Sequence, residues 1–152
     1  MAELKIGDKA PEFRLLNQDG VEISLGDFVG KKVVLYFYPK DDTPGCTIEA
    51  NDFSALYEDF LTKNAVVLGV SPDSAKSHCK FIDKFALKHT LLCDTDKLAA
   101  RAYGAWGLKK NYGKVSEGLI RSTFIIDEGG KIAQIYRNVR AKEHAKAVLE
   151  SL

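Results

Sequence analysis

The sequence predicts an α/β protein: a mixed central sheet flanked by helices, with an N-terminal β-hairpin. Three observations carry that expectation. Residues 33–38, Val-Val-Leu-Tyr-Phe-Tyr, are apolar or aromatic on both alternating faces, as in a strand covered from both sides. Beyond them Phe53, Leu56, Tyr57, Phe60 and Leu61 recur at the i, i+3, i+4 spacing of an amphipathic helix. Finally, strand, helix and strand are followed by a helix and then a hairpin, an order that suits one mixed sheet between helical layers.

The elements follow in turn. Residues 13–16 and 21–25 flank Asn17-Gln18-Asp19-Gly20, a hairpin signal. After the central strand and the Cys46 helix, residues 65–70 read as a second buried strand. Ser71-Pro72-Asp73 precedes a helix over 74–88 with Ala75, Ile82, Phe85 and Ala86 inward. A short strand over 91–93 and a short helix over 97–103 come next. The segment 104–118 carries four glycines and reads as an extended loop. Residues 121–127 and 132–137, joined through Glu128-Gly129-Gly130, form a second hairpin, and a helix over 142–152 closes the chain.

At 152 residues the chain is one domain, 1–152, large enough to bury its own core. A net charge of +1 indicates neither nucleic acid nor an anionic membrane surface as partner. No apolar run reaches the length of a membrane span, and residues 1–10 lack a signal-peptide core, so a cytoplasmic protein is expected. Gly26 to Lys32 has the wrong spacing for a phosphate loop and reads as a turn before the central strand. Three cysteines, Cys46, Cys79 and Cys93, have neither C-x-x-C nor zinc-ligand spacing, and no metal or organic cofactor is implied. In a reducing cytosol they rest as thiols, which leaves redox catalysis open.

Pro39-Lys40-Asp41-Asp42-Thr43-Pro44-Gly45-Cys46 carries the chemistry, because it delivers a cysteine to the start of a helix. Thr43 is placed to be the N-cap, worth about 1 kcal/mol, and Pro44 suits the first helical position. Cys46 then falls in the first turn, where exposed amides and the positive end of the helix dipole favour thiolate over thiol. By position alone Cys46 also suits a small core residue sharing a face with Phe53 and Tyr57. The surrounding cap, proline and glycine favour a nucleophile. His78, His89 and His144 are expected at the surface or at helix ends, none paired with Cys46.

Pro39, Thr43 and Cys46 match the Pro-x-x-x-Thr-x-x-Cys signature, and the chain here resembles the peroxiredoxins, thiol peroxidases built on a thioredoxin-like fold. Thr47 and Glu49 extend the match, as does Arg121-Ser122-Thr123-Phe124-Ile125-Ile126-Asp127. Tyr103-Gly104-Ala105-Trp106-Gly107 and Tyr112-Gly113-Lys114 resemble the branch called PrxQ or bacterioferritin comigratory protein. The resemblance runs from about Gly7 to the C-terminus.

It implies that Cys46 attacks hydrogen peroxide or an alkyl hydroperoxide and becomes a sulfenic acid. It further implies that Thr43 contacts the peroxide, that Pro39 shields the nucleophile, and that Arg121 sits against the sulfur and holds it ionised. The residues alone favour a solvated charge at a strand start for Arg121, and it is the resemblance that places it at the sulfur. Glu49, one turn after Cys46, either orients Arg121 or is a solvated glutamate. The reductant implied is thioredoxin or a similar dithiol protein.

Recycling departs from the pattern. Many PrxQ-type proteins carry a resolving cysteine five residues after the nucleophile, where this chain has Asn51; others carry it in the next helix, at a position aligned with Ile82. Cys79 lies one turn earlier, and is either a small inward residue or a resolving thiol that acts after local unfolding; Cys93 reads as structural. A one-cysteine enzyme served by an external thiol stays open, as do a thiol–disulfide exchange protein and a redox sensor using Cys46. Relatives of the branch are often monomers, and a dimer remains open.

Overall fold

The computed structural model describes residues 4–111 and 113–152; the first three residues and Tyr112, part of a motif quoted above, lie outside the described set. In chain order the elements are β1 (Arg14–Asn17), β2 (Glu22–Ser24), β3 (Lys32–Phe37), α1 (Pro44–Ala55), α2 (Tyr57–Thr62), β4 (Ala65–Ser71) and α3 (Ala75–Phe85). There follow β5 (Thr90–Cys93), α4 (Leu98–Ala102), β6 (Trp106–Asn111), β7 (Lys114–Leu119), β8 (Ser122–Ile126), β9 (Ile132–Tyr136) and α5 (His144–Glu150).

Strand β3 is the axis, and its alternation builds two cores. Val33, Leu35 and Phe37 join Leu68, Val70, Tyr103 and Phe124 on one side of the sheet. Val34, Tyr36 and the following Tyr38 join Cys46, Phe53, Phe60 and Phe81 on the other. Each fully buried side chain of this size contributes about 1.5–3 kcal/mol through lost apolar exposure. A strand buried on both faces has to lie inside a sheet, and β3 pairs in parallel with β4 and antiparallel with β8. The full order is β2-β1-β5-β4-β3-β8-β9, a mixed sheet with the N-terminal hairpin on one edge. Gly69 of β4 is required by close approach: a Cβ there would meet Tyr36 and Leu91 at 2.8 Å.

Several expectations change. Residues 104–118 are not an extended loop: β6 and β7 pair antiparallel from Trp106↔Leu119 to Asn111↔Lys114. Among the described residues this ribbon joins no larger sheet, and Leu108 is left 74% exposed. The apolar stripe 53–61 is not one helix. The backbone breaks at Leu56 (φ −98°, ψ 7°), so that Phe53 and Phe60 meet in one core, 5.8 Å apart, while Leu61 is exposed. On α3 the cap is Ser74, whose hydroxyl accepts from Ser77 N–H, and the deepest residues are His78 and Phe81 while Ala86 is exposed.

The histidines overturn the expectation most plainly: His78, His89 and His144 are all buried. His89 Nε2 lies 2.6 Å from the Tyr36 hydroxyl, while its Nδ1 is buried without a hydrogen-bond partner among the described residues, and His144 Nε2 lies 2.7 Å from the Thr123 hydroxyl. Burial lowers His89 to about 3. Burial, helped by the Arg121 charge, lowers His144 to about 4.

Candidate active site

The site forms where β3 leaves the sheet and α1 begins. Tyr38 is buried, Pro39 is half-buried, and the chain turns through Asp42 in the left-handed region at φ 57°. Thr43 occupies the N-cap in extended geometry (φ −101°, ψ 156°), with Pro44 at the first helical position. Its hydroxyl does not cap the helix amides, as the sequence suggests it would; it donates to the Lys40 carbonyl at 2.8 Å and closes the turn instead. The first four amides of a helix have no intrahelical acceptor, and Pro44 has none to offer, so the donors of this turn are concentrated at Gly45 and Cys46. Cys46 sits among them, only 1% exposed. That is more enclosed than a half-shielded nucleophile, so a charge on its sulfur has to be met by protein groups rather than bulk water.

Arg121 supplies such a group from the far side of the fold. It immediately precedes β8, which pairs with β3 so that Ser122 lies opposite Phe37, beside the origin of the Cys46 turn. Its Nη2 donates to Cys46 Sγ at 3.3 Å and its Nη1 to Glu49 Oε1 at 2.6 Å. Gly45 makes room for this approach, since a Cβ there would stand 3.1 Å from Nη2. The structure therefore brings Cys46, Glu49 and Arg121 together, with Thr43 at the head of the same helix.

Glu49 is 0% exposed, and its second oxygen, Oε2, is buried with no hydrogen-bond partner among the described residues. Burial raises its carboxyl to about 7, although the charge and hydrogen bond of Arg121 both oppose the shift. The orphaned oxygen is the physical reason: one of the two carboxylate oxygens gains nothing from ionisation. For Arg121 the balance falls the other way. Burial disfavours its charge, but Glu49 and Cys46 outweigh burial and raise it further. The pair thus holds its cation firmly and its anion loosely.

Cys79 is not part of this group. It is half-buried on α3, and its thiol donates to the Gln18 carbonyl at 2.9 Å. Cys93 is pushed up to about 11, first by burial and then by nearby Asp41 and Cys79, and stays a thiol. It lines a cleft of about 590 Å³ with Phe13, Leu16, Asp94 and Leu98, which contains none of the Cys46 group; charge, not volume, marks the reactive place. Sequence reasoning passed over Asp41 and His78, whose side chains meet at 2.7 Å beneath the Cys46 turn. A signal existed: His78 shares helical spacing with Phe81, Ile82 and Phe85, an apolar stripe on which a histidine is buried.

With the geometry in place, comparisons with known proteins are informative. Residues 6–135 match the AhpC/TSA family. The chain is 60% identical to a putative peroxiredoxin bcp of Helicobacter pylori over 152 residues, covering 100% of both chains. It is 46% identical to peroxiredoxin Bcp of Bacillus subtilis, covering 98% of this chain and 95% of that one. Among solved structures it is similar to PrxQ of Xylella fastidiosa, with TM-score 0.92 and 35% identity over 99% of this chain and 96% of that one. Bacterioferritin comigratory protein of Xanthomonas campestris gives TM-score 0.87 and 40% identity over 91% and 88%. These neighbours have the thioredoxin-like fold that the sequence resemblance implied. On the family match, the relatives and the shared fold together, the chain belongs to the AhpC/TSA family and is a peroxiredoxin, a thiol-dependent peroxidase.

Proposed function

We propose that this peroxiredoxin reduces hydrogen peroxide and organic hydroperoxides through a sulfenic acid at Cys46, with thioredoxin or a similar dithiol protein as the source of electrons. The observation that carries the reading is the Arg121 guanidinium, 3.3 Å from Cys46 Sγ and held at its other nitrogen by buried Glu49. A fixed cation and the first-turn amides favour a thiolate without a histidine base. The thiolate attacks one peroxide oxygen. The S–O bond forms as the O–O bond breaks, and the electron pair leaves with the second oxygen, which takes a proton to become water or an alcohol. Arg121 and the amides of Gly45 and Cys46 are the donors available to the departing oxygen. Thr43, whose hydroxyl hydrogen goes to Lys40, retains lone pairs to accept a peroxide O–H, and Pro39 walls the turn against water.

The sulfenic acid is resolved by a thiol that forms a disulfide with Cys46 and expels water. With Cys79 turned to Gln18, an external dithiol serves this step in the present conformation, and Cys79 would require release of α3. The Xanthomonas campestris relative is described for alkyl peroxide reduction, which supports extending the substrates beyond hydrogen peroxide. A reducing compartment, the cytoplasm, suits three free thiols. The test is Cys46→Ser: peroxide consumption driven by a thioredoxin system is expected to stop, and normal turnover in this variant would end the assignment.

A further inference from the structure

The turn over residues 39–43 rests on a buried network that the peroxide chemistry does not itself use. Asp41 lies at its centre. Oδ1 accepts from the Tyr38 hydroxyl at 2.6 Å, and Oδ2 accepts from the Ser77 hydroxyl at 2.8 Å. His78 Nδ1 stands 2.7 Å from the same Oδ2, while its Nε2 stands 2.9 Å from the Leu92 carbonyl. The Asp41 backbone N–H donates to Asp73 Oδ2 at 2.7 Å, and that oxygen also accepts from the Ser71 hydroxyl. The imidazole thus bridges the Asp41 carboxyl and the Leu92 carbonyl, and the side chains of the His78–Asp41 pair are 0% and 3% exposed.

Burying such polar groups costs desolvation that their hydrogen bonds offset, and the better attested use of such a pair is to enforce one geometry. Here there is a geometry to enforce. The next residue, Asp42, stands at φ 57°, a conformation that persists when its surroundings over-determine it. The Asp42 side chain makes an exposed bridge to Lys84, which contributes little. Release of Asp41 would let the turn relax, carrying Pro39 and Thr43 away from Cys46 while Arg121 stays against the sulfur.

We propose that Asp41 and His78 are positioning residues of the peroxide site, a buried hydrogen-bonded pair that clamps the Cys46 turn against α3 and β5. This rests on the peroxidase reading. In the full chain, Asp41→Asn, His78→Asn and the double variant are compared by two rates at Cys46: sulfenic acid formation with one equivalent of hydrogen peroxide, and alkylation by iodoacetamide. Oxidation needs the positioned donors, whereas alkylation needs the thiolate alone. Each single variant is expected to slow oxidation roughly tenfold or more while leaving alkylation within about threefold. The double variant is expected to be no slower than the slower single, because the two residues act as a unit.

Near-normal oxidation in a folded single variant, additive losses in the double, or equal slowing of both reagents would each overturn the proposal. Should Asp41→Asn fail to fold, Tyr38→Phe and Ser77→Ala each remove one hydrogen bond to the same carboxylate. Oxidation slowed about two- to fivefold is then expected, and unchanged rates overturn the clamp. A wild-type Cys46 that peroxide does not oxidise would instead overturn the peroxidase reading on which the clamp depends.

Discussion

Arg121 divides one guanidinium between Cys46 and Glu49, donating to the sulfur at 3.3 Å and to the carboxylate at 2.6 Å. Only a planar fork with donors on two nitrogens spans both partners in a fixed geometry; an ammonium is a point charge on a flexible stem. Arg121→Lys is therefore expected to retain the fold but slow Cys46 oxidation roughly tenfold, and Arg121→Gln roughly 100-fold. Rapid-quench mass spectrometry of the sulfenic acid measures both, and a lysine variant as fast as wild type would contradict the shared-fork arrangement.

Gly45 offers a cleaner separation of stability from activity. Its φ is not in the left-handed region, so alanine is compatible with the helix and should stabilise it by roughly 0.5–1 kcal/mol. The added Cβ would stand 3.1 Å from Arg121 Nη2, forcing the guanidinium to shift by a few tenths of an ångström. Gly45→Ala is expected to melt no earlier than wild type yet to oxidise several-fold more slowly. A melting curve and a peroxide progress curve on one preparation decide it.

Glu49 gives stability a pH dependence of known sign. Unfolded, its carboxyl ionises near the ordinary 4.5; folded, burial delays that to about 7. Between those values the folded chain holds a proton that the unfolded chain has lost, so this contribution is present at low pH and fades as pH rises. The change is on the order of 3 kcal/mol. Urea unfolding across pH 4.5 to 7 should show the slope in wild type and a flatter profile in Glu49→Gln; parallel profiles would contradict it.

The buried histidines act in the opposite sense. Burial holds His89 neutral down to about 3, against an ordinary 6.5. Below pH 6.5 the unfolded chain takes up a proton that the folded chain refuses, so stability falls with acid, by on the order of 5 kcal/mol over the full range. His144, lowered to about 4, adds to the loss. Acid unfolding followed by circular dichroism should begin at lower pH in His89→Gln than in wild type, once each is referred to its own stability at pH 7.

How much of this was legible depended on whether the deciding contact was local. Strand β3 could be read because both its faces are apolar, and the head of α1 because Thr43, Pro44 and Cys46 are neighbours in the chain. The ribbon of β6 and β7 could not, since Gly104, Gly107, Gly113 and Gly118 punctuate it like a loop and its two strands pair with each other rather than with the main sheet. The break at Leu56 and the burial of three histidines also escaped, because each is settled by what packs against it.

The amino-acid order by itself determined which layers form, where a cysteine meets a helix start, and which family the chain resembles, all properties of residues a turn or a strand apart. Only the tertiary structure decided that Arg121 reaches Cys46 and Glu49 from more than seventy residues away, and that Asp41 meets His78 across 37 residues. Pairings of that kind need the sheet to bring β8 beside β3 and α3 beneath the turn, and no local pattern of hydrophobicity or propensity encodes which distant charge will fill a buried place.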